Sequence, residues 1–199
     1  LTLLDTPGHA DFVAEMERTL AVLDYAVLII SGTDGVQAHT ETLWRLLERY
    51  RIPTMIFVNK MDQPGADRAA VLAELQRKLS PACLPYDADE ETLALCDERL
   101  MQEYLEGGTL AKTSLAAAIA RRELFPCWFG AALRQQGIAE LLEGLDTLTL
   151  APTYLPDFAA QVYKISTDPQ GNRLTHLKVI GGVLRVRMAL PDGEKITQI

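Results

Sequence analysis

Short apolar runs alternate along this chain with stretches in which apolar residues return every three or four positions. Leu1–Leu4, Tyr25–Ile30, Thr54–Val58 and Leu124–Phe129 are the runs, and near-continuous apolar character suits strands buried on both faces. Between them, Phe12, Met16, Leu20 and Leu23 fall on one helical face. Leu43, Leu46, Leu47 and Tyr50 do the same, as do Leu72, Leu75 and Leu79. The spacing is that of amphipathic helices. Ile138, Leu141, Leu142 and Leu145 repeat it after the last run, and two helical stretches, about 90–105 and 111–121, fill the gap between the third and fourth strands. Alternation of this kind predicts an α/β fold, a mostly parallel sheet with flanking helices.

The texture changes near Ala151 and Pro152. Beyond Phe158 the helical periodicity stops. Ala159–Ile165 and Leu174–Ile180 read as strands joined by a turn at Asp168-Pro169-Gln170-Gly171, residues suited to reversing the chain. Leu184–Met188 alternates strictly, which predicts a half-buried strand. Asp192-Gly193 supplies another turn before a strand starting at Lys195. The expected organisation is an α/β domain over 1–151 and the start of a β-barrel over 152–199.

Composition narrows the function. Of 199 residues, 48% are hydrophobic and 23% charged, enough apolar material for a core. No apolar run reaches the roughly 18 residues of a membrane-spanning helix. Cys83, Cys96 and Cys127 show neither CxxC nor Cys/His ligand spacing, as expected of reduced thiols in a cytoplasmic protein. The net charge of −8, without a basic block, argues against a stand-alone nucleic-acid binder and against sequence-specific DNA recognition.

Two motifs carry chemistry. Asp5-Thr6-Pro7-Gly8-His9 follows the first apolar run and precedes a helical pattern. Open α/β sheets bind ligands at the carboxyl ends of their strands, and an Asp placed there can help hold Mg²⁺ beside a nucleotide. Gly8, lacking a side chain, lets its backbone N–H approach a terminal phosphate. Asn59-Lys60-Met61-Asp62 follows the third run. The Asp62 carboxylate can accept from the ring N–H and exocyclic amine of guanine, a pair of donors adenine lacks, and an unpaired buried acceptor costs about 1–3 kcal/mol. The stem of Lys60 can lie over the base, while Asn59 can donate and accept at once to tie loops together. Each motif alone also fits an ordinary strand-ending turn. Both together, in this order and at strand ends, point to a guanine nucleotide.

DTPGH followed by NKMD resembles the guanine-nucleotide-binding domain of translational GTPases. The stretches DFVAEMERTLAVLDYAVLIISGTDGVQAHTETLWRLL and RIPTMIFVNKMDQPGADR look like elongation factor G, and closer still like the tetracycline-resistance ribosomal protection proteins. AAQVYKISTDPQGNRLTHLKVIGGVL resembles the start of the second-domain barrel of that superfamily. The resemblance implies a P-loop-NTPase-like fold, GTP or GDP as ligand and Mg²⁺ as its companion ion. It implies Asp5 as a metal ligand and His9 as the residue that positions the attacking water. The partner would be the ribosome, whose large-subunit RNA draws His9 inward. The last base-contacting loop falls at Gly130-Ala131-Ala132, where the family usually has Ser at Ala131. The amide of Ala132 is then expected to stay free for the guanine oxygen.

The phosphate loop, GxxxxGK followed by Ser or Thr, and the first-switch threonine do not occur between Leu1 and Ile199. The chain opens inside a strand-like run, so the N-terminal part of the domain is expected upstream of Leu1. The 199 residues alone are expected to bind GTP weakly or not at all. Besides ribosomal protection, an elongation factor G-type translocase or a release-factor relative fits the resemblance, as does a non-catalytic ribosome-binding scaffold.

Overall fold

The computed structural model describes residues 2–5, 18–189, 193 and 195–196. They divide into two compact units, one of Leu23–Ala151 and one of Leu1–Val22 with Pro152–Ile199.

The larger unit is built on four parallel strands, β1 (Ala26–Ser31), β2 (Thr54–Asn59), β3 (Cys83–Pro85) and β4 (Phe125–Phe129), in the order β1-β2-β4-β3. The helices are α1 (Ala38–Arg49), α2 (Arg68–Lys78), α3 (Glu90–Ala94), α4 (Glu98–Gly107), α5 (Lys112–Ala120) and α6 (Ile138–Thr147). Strand β2 is central, and its run is apolar because both of its faces are covered. Ile56 and Val58 pack with Trp44 of α1 and with Val71 and Leu75 of α2. Met55 and Phe57 face the other way, against Leu93, Leu100, Ala118, Ile119, Leu141 and Leu145 from α3 to α6. Period-two alternation thus splits one strand between two cores.

Two expectations for this unit are corrected. The stretch 90–105 is two helices, because Asp97 interrupts it. Its carboxylate accepts from the amides of Arg99 (2.6 Å) and Leu100 (3.4 Å), as Asp89 accepts from that of Thr92 (2.8 Å). Each Asp is an N-cap that starts a new helix. Strand β3 has no counterpart in the sequence pattern: three residues ending in Pro85 are too few to show a period.

In the smaller unit β5 (Ala159–Thr167) and β6 (Arg173–Gly181) form an antiparallel hairpin whose turn is closed by Asp168, accepting from the amides of Gln170 and Asn172. The alternating stretch Leu184–Met188 is not a strand. Val186 and Arg187 lie in a turn, and Arg187 has φ +69°. Alternation makes a strand only where a neighbouring edge supplies backbone partners, and among the described residues pairing here is an isolated bridge between Ala189 and Lys195 with two backbone hydrogen bonds to Ile196. Residues 2–5 likewise carry no regular structure, with Leu3 exposed, so the strand expected over Leu1–Leu4 does not appear in its described part. Of the helix expected around Phe12–Leu23, residues 18–20 are helical, and Phe12 and Met16 lie outside the described residues.

Candidate functional site

In the larger unit the site residues meet where β1, β2 and β4 end. Asn59 closes β2, and Lys60 turns the chain with φ +63°, a left-handed conformation that costs a side-chain-bearing residue about 1 kcal/mol. Strain of this sort gathers where a loop is held for a ligand. The next amide, that of Met61, donates to the Gly130 carbonyl at 3.0 Å, while the Gly130 amide donates to the Val58 carbonyl at 2.9 Å. The loops after β2 and β4 are therefore stitched to each other. From β1, the Gly32 amide donates to the Asn59 carbonyl at 2.7 Å.

Asn59 is the knot of this arrangement. Its Oδ1 accepts from the amide of Lys60 at 2.8 Å and from the amide of Ala132 at 2.9 Å. Both lone pairs of the oxygen are in use. This corrects the expectation that the Ala132 amide stays free: it is held by Asn59. The following amide, that of Leu133, makes no hydrogen bond among the described residues, and the Leu133 side chain is wholly exposed. Gly130 is required sterically. A Cβ there would lie 2.2 Å from the Gln136 carbonyl oxygen and 2.9 Å from the Phe57 ring.

Asp62 stands on the same loop with its side chain 23% exposed. It forms an ion pair with Arg134, whose Nε lies 2.8 Å from Oδ2, and no other partner engages its carboxylate among the described residues. Arg134 is a site residue that the sequence reading misses. It sits in a short 3₁₀ turn, Ala132–Arg134, just past the flagged loop, and only the fold brings it back to Asp62. The available signal is a cation three residues beyond Ala131 in a loop already assigned to the base.

The structure thus brings together Asn59, Lys60, Met61, Asp62, Gly130, Ala131 and Ala132. Asp5 is exposed and belongs to the other unit. Thr6, Pro7, Gly8 and His9 lie outside the described residues. Among those described, no three His, Cys, Asp or Glu side chains group as a metal site.

A groove of about 670 Å³ opens at the opposite, amino end of the strands, lined among others by Trp44, Glu48, Leu79, Ala120, Arg122 and Phe125. Its chemistry does not suit a phosphate. The carboxyl ends of α1, α2 and α5 converge there, and the negative ends of their dipoles favour a cation. Arg122 supplies one, donating to the Ile52 carbonyl and to Thr54 Oγ1 (3.0 Å). Its guanidinium lies 5.1 Å from the ring centroids of both Trp44 and Phe125. This end is structural.

With the guanine-type loops placed, the comparison with known families is decisive. The model of the elongation factor Tu GTP-binding domain matches residues 1–151. The chain belongs to that family. Tetracycline resistance protein TetM of Streptomyces lividans is similar to this elongation factor Tu-type domain, 37% identical over 223 aligned residues that cover 96% of the chain and 35% of TetM. A crystal structure of a Thermus thermophilus protein resembles it with a TM-score of 0.79 and 25% identity, over 98% of this chain and 38% of that one. The domain thus spans about a third of the length of these relatives. The resemblance drawn from DTPGH and NKMD is upheld at the level of the family, and the α/β fold with an antiparallel hairpin following it agrees with the structure.

Proposed function

We propose that this chain is the guanine-nucleotide end of a ribosome-dependent GTPase of the ribosomal protection type. One observation carries the reading: Asn59 Oδ1 clamps the loop of Asp62 to the loop of Ala132 at 2.9 Å. A base entering beside these loops meets a carboxylate whose Oδ1 is unengaged and the undonated amide of Leu133. Guanine presents two donors to Asp62 and a carbonyl oxygen that the Leu133 amide can reach. Adenine presents neither donor, so its binding would leave the carboxylate short of partners at about 1–3 kcal/mol. The Lys60 stem supplies the apolar face for the ring.

Hydrolysis would follow the family pattern, with water attacking the γ-phosphate, His9 orienting that water and backbone donors such as the Gly8 amide stabilising the developing charge. Asp5 would be the ligand to Mg²⁺. The similarity to a tetracycline resistance protein favours tetracycline protection over translocation or release. The partner would be the ribosome, through its large-subunit RNA, as the resemblance of DTPGH and NKMD implies.

Asp62→Asn tests the base reading. GMP is the probe, because with a single phosphate the base contributes most of the binding. The asparagine amide faces the guanine amine donor-to-donor but complements the carbonyl that xanthine carries at that carbon. In binding titrations of the full-length protein, the variant should lose about tenfold or more in GMP affinity and gain affinity for XMP. Unchanged GMP binding refutes the assignment. On the full-length protein, phosphate release stimulated by ribosomes and abolished by His9→Ala is the expected outcome; no release under either condition favours a scaffold.

A further inference from the structure

We infer that Arg134 is a positioning residue for Asp62, holding the carboxylate in the orientation that reads the guanine edge. The inference rests on the guanine reading above. Asp62 must aim two oxygens at two parallel donors, yet among the described residues its own turn gives it no hydrogen bond. Its one partner there is the Arg134 guanidinium, with Nε 2.8 Å from Oδ2 in an ion pair.

Arg134 can perform this role because its backbone is anchored. Its amide donates to the Ala131 carbonyl at 2.9 Å, that of Gln135 donates to the Ala132 carbonyl at 3.0 Å, and Ala132 is tied to Asn59. The guanidinium is therefore hung from the very loop that borders the base. Counting acceptor positions shows that brace and base can coexist. A carboxylate offers about four lone-pair positions; the guanidinium stands at Oδ2 alone, which leaves Oδ1 and a further position on Oδ2 for the two guanine donors. With its side chain 66% exposed, Arg134 adds little to the core, and its loss should be read in base recognition rather than in folding.

GMP and IMP separate the possibilities, because inosine lacks the exocyclic amine and offers Asp62 a single donor. In binding titrations of the full-length protein, wild type should prefer GMP to IMP by about tenfold. Arg134→Ala should weaken GMP about three- to fivefold, the worth of a partly exposed ion pair. IMP should weaken less, so the GMP/IMP ratio falls; Arg134→Lys should recover part of the loss. If wild type prefers GMP while Arg134→Ala binds it equally well or more tightly, Arg134 is a bystander or a competitor and the positioning role is overturned. If wild type shows no GMP/IMP preference and Asp62→Asn changes nothing, the guanine reading fails, and this inference with it.

Discussion

The loop after β1 is fastened to α2 by one carboxylate, and removing it should have a cost that depends on pH in a defined way. Glu74 Oε2 accepts from the amide of Val36 at 3.2 Å, and Oε1 pairs with Lys78 Nζ at 2.7 Å. The same ammonium donates to the Val36 carbonyl at 2.8 Å, closing a three-membered network. Glu74→Ala removes a charge-assisted hydrogen bond, worth about 1.5–3 kcal/mol when buried. Here the side chains of Glu74 and Lys78 are 25% and 30% exposed and the amide contact is long, which places the expected loss near 1–2 kcal/mol. The bond to Lys78 chiefly holds the Glu74 carboxyl below its ordinary value of 4.5, aided by the Val36 amide and opposed by burial. A depressed carboxylate stabilises the fold above its unfolded pKa, and that stability is lost as pH falls through the folded value. Urea unfolding followed by the fluorescence of Trp44 and Trp128 should therefore show the full loss at neutral pH and a much smaller one near pH 3. Glu74→Gln should be intermediate at neutral pH, since its amide oxygen can still accept from Val36. An equal cost at both pH values, or one under about 0.3 kcal/mol at neutral pH, would refute the network as a source of stability.

Gly130→Ala should destabilise the larger unit by about 1–3 kcal/mol, the usual range for overpacking, because its new Cβ meets backbone at Gln136. GMP binding should fall with it, and thermal melting together with the titration checks both. Arg122→Ala should cost about 2–3 kcal/mol by leaving the Ile52 carbonyl and Thr54 short of a donor and two aromatic rings without their cation. Arg122→Lys should recover less than half of that in a melting experiment, because an ammonium lacks the flat, weakly hydrated guanidinium that lies over the two rings.

What the sequence makes legible follows from strong local signals. Thr54–Val58 is readable because a strand covered on both faces must be apolar throughout, and the chemistry after it because Asn59 and Asp62 have few reasons to stand together at a strand end. Where a local signal needs a distant partner, the reading fails. Leu184–Met188 alternates as well as any strand, yet backbone pairing rather than alternation makes a ladder. The Ala132 amide looks free in the sequence because Asn59 is 73 positions away in the chain. Arg134 escapes notice for the same reason. By contrast, the break at Asp97 is available in advance: an Asp followed by Glu within a long helical pattern is a capping signal.

The strand order has a consequence for how the protein is made. Strand β4, last of the four in the chain, lies between β2 and β3, and β3 pairs with β4 alone. A nascent chain that has emerged as far as Leu124 therefore carries two unsatisfied strand edges, the kind of surface that invites wrong pairing. The five residues of β4 close both at once, and the next to appear, Gly130 to Ala132, are those that Met61 and Asn59 grip. Completing the sheet and joining the loop of Asp62 to the loop of Ala132 are therefore one event.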